Sequence, residues 1–274
     1  MSKRRFKVGP VQIGGPDLFV IAGPCVIESR AQILRTADRL AELAAEEEVP
    51  LIFKASFDNA NRTSVDAYRG PGLEKGLDIL AEVKDRTGLP LLTDVHTPEQ
   101  VAPCAQVIDI LQLPAFLCRQ TDLVVALGES GKAVNLKKAQ FLAAEDMDHV
   151  VKKVESTGNK KILLTERGTT FGYNNLVTDF RNLLIMADTG YPVVFDATHS
   201  VQRPGGGGGF SSGNGEWAPH LARAATAVGL DGLFMETHLQ PAKAMSDKDN
   251  LIPFRRLAGL WRQLKAIHAI RREG

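Results

Sequence analysis

The stretch KILLTE (161–166), NNLVTDFRNLLIMAD (174–188) and PVVFDAT (192–198) decides the fold. Two apolar runs without polar alternation flank a segment of 3.6-residue periodicity. A run apolar at every position suits a parallel strand buried on both faces, and the periodic segment is the helix that carries the chain back. The same unit recurs outward in both directions. Further apolar runs are LFVIA (18–22), LIFKA (51–55), LPLLTDV (89–95), VIDILQLP (107–114), AVNLK (133–137) and DGLFME (231–236). Helical periodicity returns in RAQILRTADRLAELAAEEE (30–48), GLEKGLDILAEVKDR (72–86), MDHVVKKVES (147–156) and PFRRLAGLWRQLKAIHAIRR (253–272). Asp146 and Asn174 read as helix N-caps. Eight strand–helix units predict an α/β chain folded as a (β/α)8 TIM barrel, with residues 1–274 as a single domain. The alternative is an open doubly wound sheet, whose first strand often leads into GxGxxG; here it leads into AGPC (22–25). FKVGPVQIG (6–14) reads as a β-hairpin capping the barrel bottom, and GGGGG (205–209) with FSSGNG (210–215) as a mobile loop.

Composition narrows the class. Of 274 residues, 33 are Lys or Arg and 32 are Asp or Glu, a net charge of +1 that argues against nucleic-acid and membrane-surface partners. The apolar run LFVIAGPCVI (18–27) is far short of the roughly 20 residues that span a bilayer. It runs into Glu28-Ser29-Arg30 and a helical pattern, so it reads as a strand rather than a signal peptide. Three cysteines, an odd number, point to a reducing, cytoplasmic setting without a disulfide framework.

A barrel works at the C-terminal ends of its strands, so the architecture locates the candidate chemistry. Those ends carry Cys25; Lys54 with Ser56, Asn61 and Arg62 beyond it; Asp94 and His96; Gln112 and Arg119; Lys137; Glu166-Arg167; Asp196 and His199; and Glu236 and His238. Lys54, Arg62, Arg119, Lys137 and Arg167 converging on one mouth suit an anionic substrate, most simply phosphates or a phosphate plus a carboxylate. Any one of them could instead pair with Asp94, Asp196 or Glu166. Cys25, His199 and Glu236, joined by Asp247, have the character of ligands for Zn²⁺, Fe²⁺, Mn²⁺ or Co²⁺. No spacing motif supports that set, and a lone strand-end cysteine also serves as a small buried hydrophobe.

KASFDNANRTS (54–64), LPAFLCRQTDL (113–123), LTERGTTFGYNNL (164–176), FDATHSVQ (195–202) and GLFMETH (232–238) resemble the 3-deoxy-D-manno-octulosonate 8-phosphate synthases, over about residues 6–270. The resemblance implies condensation of phosphoenolpyruvate with D-arabinose 5-phosphate, releasing phosphate, in Kdo and lipopolysaccharide biosynthesis. It implies a transferase that works as a homotetramer. Cys25, where the metal-independent class carries Asn, is similar to the metal-dependent class, with Cys25, His199, Glu236 and Asp247 as ligands of one divalent ion. By the same resemblance, Lys54, Ser56, Lys137 and Arg167 hold phosphoenolpyruvate, and Asn61, Arg62 and Thr63 hold the sugar phosphate. Asn59, Gln112 and Ala115 are expected to border the substrates, and Arg119 to serve a neighbouring subunit's site. Lys54, Lys137, Arg167, Asp94 and His199 are the catalytic candidates. The chain departs from the family at Asn59, where a lysine is usual, and at Leu239, where a proline is. Three rivals stand beside this reading: the seven-carbon synthase using erythrose 4-phosphate, a metal-dependent class II aldolase and a non-catalytic sugar-phosphate sensor.

Overall fold

The computed structural model describes residues 3–206 and 212–273. Residues 207–211 of the glycine-rich stretch, read above as a mobile loop, lie outside the described residues. The eight apolar runs form eight parallel strands: β1 (Phe19–Gly23), β2 (Leu51–Lys54), β3 (Leu91–Asp94), β4 (Ile110–Leu113), β5 (Ala133–Lys137), β6 (Ile162–Glu166), β7 (Val193–Asp196) and β8 (Gly232–His238). Each pairs with its sequence neighbour, and β8 pairs with β1 to close the barrel. The helices are α1 (Arg30–Glu46), α2 (Leu73–Thr87), α3 (Pro98–Val107), α4 (Thr121–Glu129), α5 (Met147–Glu155), α6 (Arg181–Ala187), α7 (Ala218–Val228) and α8 (Leu257–Glu273).

A period of two runs inside the apolar runs. Leu51, Phe53, Leu111, Val134, Leu164 and Leu233 face outward into the layer between barrel and helices. The alternate residues Phe19, Ile21, Ile52, Leu92, Leu163 and Phe234 fill the lower barrel interior. The hairpin Phe6–Val8 and Val11–Ile13 adds buried Val8, Val11 and Ile13 to that interior cluster. Burying each is worth about 1.5–3 kcal/mol, enough to hold so short a hairpin across the barrel bottom. Continuing the alternation upward, the interior positions become polar: Lys54, Asp94, Gln112, Lys137 and Glu236 line the mouth, with buried Asp196 paired to Lys137. The strands that build the core therefore aim the site.

Two N-caps differ from expectation. Asn174 caps no helix; it lies in a turn at φ +52 between short antiparallel strands, Thr169–Thr170 and Leu176–Val177. The bond from Thr170 N–H to the Gln140 carbonyl ties that ribbon down, and α6 begins only at Arg181. Asp146 precedes α5 but makes no side-chain cap bond, whereas Ser29 Oγ accepts from Gln32 N–H at 3.2 Å and caps α1.

Candidate active site

The mouth opens on a cavity of about 460 Å³. Backbone approach shapes its floor. A Cβ on Gly23 would stand 1.9 Å from the Lys54 carbonyl oxygen, so only glycine lets β1 and β2 meet just below Cys25. Gly23→Ala is expected to cost about 2–3 kcal/mol by overpacking and to lower turnover through displacement of Lys54. Unchanged denaturant midpoint and kcat would contradict this. Cys25 lies two residues past the end of β1, and its carbonyl accepts from Lys54 Nζ at 2.7 Å.

Lys54 is buried and also pairs with Glu236 Oε1 at 2.7 Å. Burial alone would lower its pKa, but Glu236, Cys25 and Asp94 hold the ammonium well above its ordinary value. Lys137 pairs with Asp196 Oδ2 at 2.7 Å and stands 3.8 Å from the centre of the Phe234 ring. Asp196 also accepts from the His199 backbone N–H at 2.9 Å and meets His199 Nδ1 at 2.7 Å. Burial opposes ionisation of Asp196, yet His199 and Lys137 hold its carboxyl far below the usual range. The same opposition leaves Asp94 at about 2, with Lys54 and Lys137 as the chief lowering charges. Asp94 accepts from Gln112 Nε2 at 2.6 Å and from Ser56 Oγ, and Gln112 continues to Asn135 and Thr165.

Three candidate ion ligands meet. The ligand atoms of Cys25, Glu236 and Asp247 all lie within 4.8 Å of one another. His199, its Nδ1 taken by Asp196, points Nε2 to within 3.8 Å of Glu236 Oε1. A carboxylate behind the far ring nitrogen is the usual support of a ligating imidazole. Burial, with Glu236 and Asp247 beside it, pushes the Cys25 thiol well up. Burial also acts against Asp247, but His199 and Ser246 hold its carboxyl below the usual range. A buried thiol facing two carboxylates and an oriented imidazole is a donor set that a divalent cation fits.

Cationic and polar groups complete the cavity. Arg167 is buried, which lowers its pKa; Nη2 donates to Gln202 Oε1 at 2.8 Å, and buried Nη1 has no partner among the described residues. Arg62, Asn61 and Thr63 line the cavity, as do Ala115 and Phe116. Asn59 is buried, and its amide donates to Ser246 Oγ at 2.8 Å and reaches Cys25 Sγ at 3.5 Å. It is thus spent on the ion-ligand side.

Other candidates lie elsewhere. Arg119 is exposed and lies outside this cavity. Glu166 points outward from β6 and pairs with fully buried Lys138 at 3.5 Å, helped by Asn182. His238 pairs with Glu28 at 3.3 Å. Ser246 and Gln202, both central to the site, escaped sequence reading because neutral residues on irregular segments carry no pattern.

Fold and site together define a barrel enzyme whose mouth sets buried cations beside a buried thiol and two carboxylates. The chain matches the sequence profile of the DAHP synthetase I family over residues 4–270 and belongs to that family. It is 56% identical over 268 residues, 97% of this chain and 98% of the relative, to a 2-dehydro-3-deoxyphosphooctonate aldolase of Geobacter sulfurreducens. It is 58% identical over 257 residues, 94% of both chains, to one of Desulfatibacillum aliphaticivorans. A Citrifermentans bemidjiense protein of the same name is 55% identical over 97% of this chain and 98% of its own.

Proposed function

We propose that this chain condenses phosphoenolpyruvate with D-arabinose 5-phosphate and water, giving 3-deoxy-D-manno-octulosonate 8-phosphate and phosphate. The name shared by its near-full-length relatives supports this over the seven-carbon reaction. The observation that carries it is the meeting of Lys54, Lys137 and Arg167 with Cys25, Glu236 and Asp247 in one cavity.

Phosphoenolpyruvate is an enol ester, nucleophilic at C3. C3 attacks the sugar aldehyde, water adds at C2, and the hemiketal phosphate collapses by C–O cleavage. Two anions must be brought together first. Lys54, Lys137 and Arg167, with Ser56, hold phosphoenolpyruvate; Asn61, Arg62 and Thr63 hold the sugar phosphate. Their charges offset the repulsion and fix a near-attack geometry. Asp94, with a pKa of about 2, is a weak base at neutral pH and acts chiefly by anchoring Lys54, Ser56 and Gln112. Asp196 keeps His199 oriented. Cys25, His199, Glu236 and Asp247 would hold one divalent ion, which supplies Lewis acidity and lowers the pKa of bound water. Phosphate release should require phosphoenolpyruvate plus arabinose 5-phosphate, fail with erythrose 4-phosphate and stop with a chelator. A preference for erythrose 4-phosphate would refute the assignment.

We also read the chain as a cytoplasmic homotetramer. No described helix is long and apolar enough to cross a membrane. Phe116 at the cavity rim is 51% exposed and Phe141 60% exposed, apolar surface that a neighbouring subunit would cover while exposed Arg119 reaches that neighbour's site. Arg119→Ala should raise the arabinose 5-phosphate KM tenfold or more, the scale of one charge-assisted hydrogen bond at about 1.5–3 kcal/mol, and leave the phosphoenolpyruvate KM nearly unchanged. A fully active monomer by light scattering would refute both points.

A further inference from the structure

Besides the Cys25 thiol, 3.1 Å from its Oδ2, Asp247 is held from two sides by neutral side chains that are each held in turn by a guanidinium. Its Oδ2 accepts from Ser246 Oγ at 2.7 Å, and Arg62 Nη1 donates to that same Oγ at 2.6 Å. Its Oδ1 accepts from Gln202 Nε2 at 2.9 Å, and Arg167 Nη2 donates to Gln202 Oε1 at 2.8 Å. Partner chemistry fixes the directions. Arg62 and the Asn59 amide nitrogen bring only donors to Ser246, so they occupy its lone pairs and its one proton turns to Asp247. Gln202 gives its carbonyl oxygen to Arg167, which turns its NH₂ to Asp247. Each guanidinium also keeps a buried nitrogen without a partner among the described residues, Arg62 Nε and Arg167 Nη1.

We infer that Ser246 and Gln202 are positioning residues that couple the two anion subsites to the grip of Asp247 on a divalent ion. An anion that draws Arg62 onto itself releases the Ser246 hydroxyl, whose proton can then leave Oδ2. An anion on Arg167 likewise releases Gln202 from Oδ1. Each event gives an oxygen back to the cation, so ion and anions tighten one another's binding by equal factors. The inference rests on the proposed roles of Cys25, Glu236 and Asp247 as ion ligands and of Arg62 and Arg167 as anion holders.

The test is Mn²⁺ affinity of the metal-stripped full chain in its native assembly, measured by calorimetric titration, so that the readout is binding rather than turnover. Saturating arabinose 5-phosphate, or phosphoenolpyruvate alone, should each tighten Mn²⁺ binding about fivefold in the wild type. Ser246→Ala should lose the response to the sugar phosphate and keep the response to phosphoenolpyruvate; Gln202→Ala should show the reverse. Ser246→Thr, which retains the hydroxyl, should keep both. Should an alanine variant fail to fold, Ser246→Gly or Gln202→Met, which also lack the hydroxyl or the amide, takes its place with the same expected loss. Mn²⁺ binding that ignores both anions overturns the coupling and leaves the ion-site reading standing. Equal tightening in all variants overturns the relay in favour of bare charge attraction. No Mn²⁺ binding under any condition overturns the ion-site reading and the coupling with it.

Discussion

Removing the divalent ion is expected to abolish phosphate release, and adding Mn²⁺ or Zn²⁺ back is expected to restore it. Glu236 and Asp247 stand beside the Cys25 sulfur with their ligand atoms within 4.8 Å, two carboxylates whose charge a divalent ion would offset. Cys25→Ala should weaken ion affinity tenfold or more, because alanine offers neither the charge nor the softness of a thiolate. The thiol's raised pKa sets the pH dependence. Below that pKa, uptake must expel a proton, so the apparent affinity of the stripped protein should rise with pH by up to about tenfold per unit. Affinity that falls or stays flat between pH 6 and 8 would count against a thiolate ligand. Full turnover in a chelated, metal-free sample would refute the requirement altogether.

Asp196→Asn is expected to be the most damaging single substitution for stability. Asp196 is fully buried and balances buried Lys137. The amide keeps the shape but leaves that ammonium uncompensated, a loss of about 3–5 kcal/mol for breaking a buried pair. For a chain of this size that is a fall in Tm of about 10 °C. The amide can also present its NH₂ to His199 Nδ1 and reverse the ring's tautomer, so turnover should fall with stability. The sign with pH follows from the direction of the shift. A carboxyl held far below its unfolded value contributes stability that is fully present above the ordinary carboxylate range and is lost as pH falls through the folded value. The gap between wild type and variant in denaturant titrations should therefore hold at pH 5–8 and shrink in strong acid. A gap that widens in acid would contradict the assigned ionisation.

The barrel was legible because its strands are parallel and buried on both faces, which makes each a continuous apolar run. The hairpin was legible because Gly9-Pro10 divides alternating apolar residues; its turn places Gly9 at φ +54. The helices around residues 98–107 and 121–129 were harder to see. Pro103 sits inside the first, and the second is short and apolar on several sides. At the site, strand parity decided what could be read. Lys54, Asp94, Lys137 and Asp196 sit at inward positions at strand ends, so architecture alone placed them. Glu166 sits at a strand end but on the outward parity, where it meets Lys138 in the layer under the helices. Ion-ligand convergence depends on the segment carrying Ser246 and Asp247, which has no periodicity to read. Asn59, expected to border the substrates, lines the cavity and bonds Ser246 and Cys25, a link to the ion-ligand side that no spacing in the sequence shows.

The hairpin across the barrel bottom also governs traffic. With Val8, Val11 and Ile13 packed into the lower interior, the described residues close the barrel at that end and leave the mouth as the way in. Reactants and products must share that doorway. Lys54 and Lys137 are buried at 3% and 6% exposure, whereas Arg62, also lining the cavity, is half-buried on the loop beyond β2. On the proposed subsites, a sugar phosphate seated on Arg62 would stand between solvent and those lysines, so the enol ester would enter first and inorganic phosphate would leave past whatever still occupies the threshold.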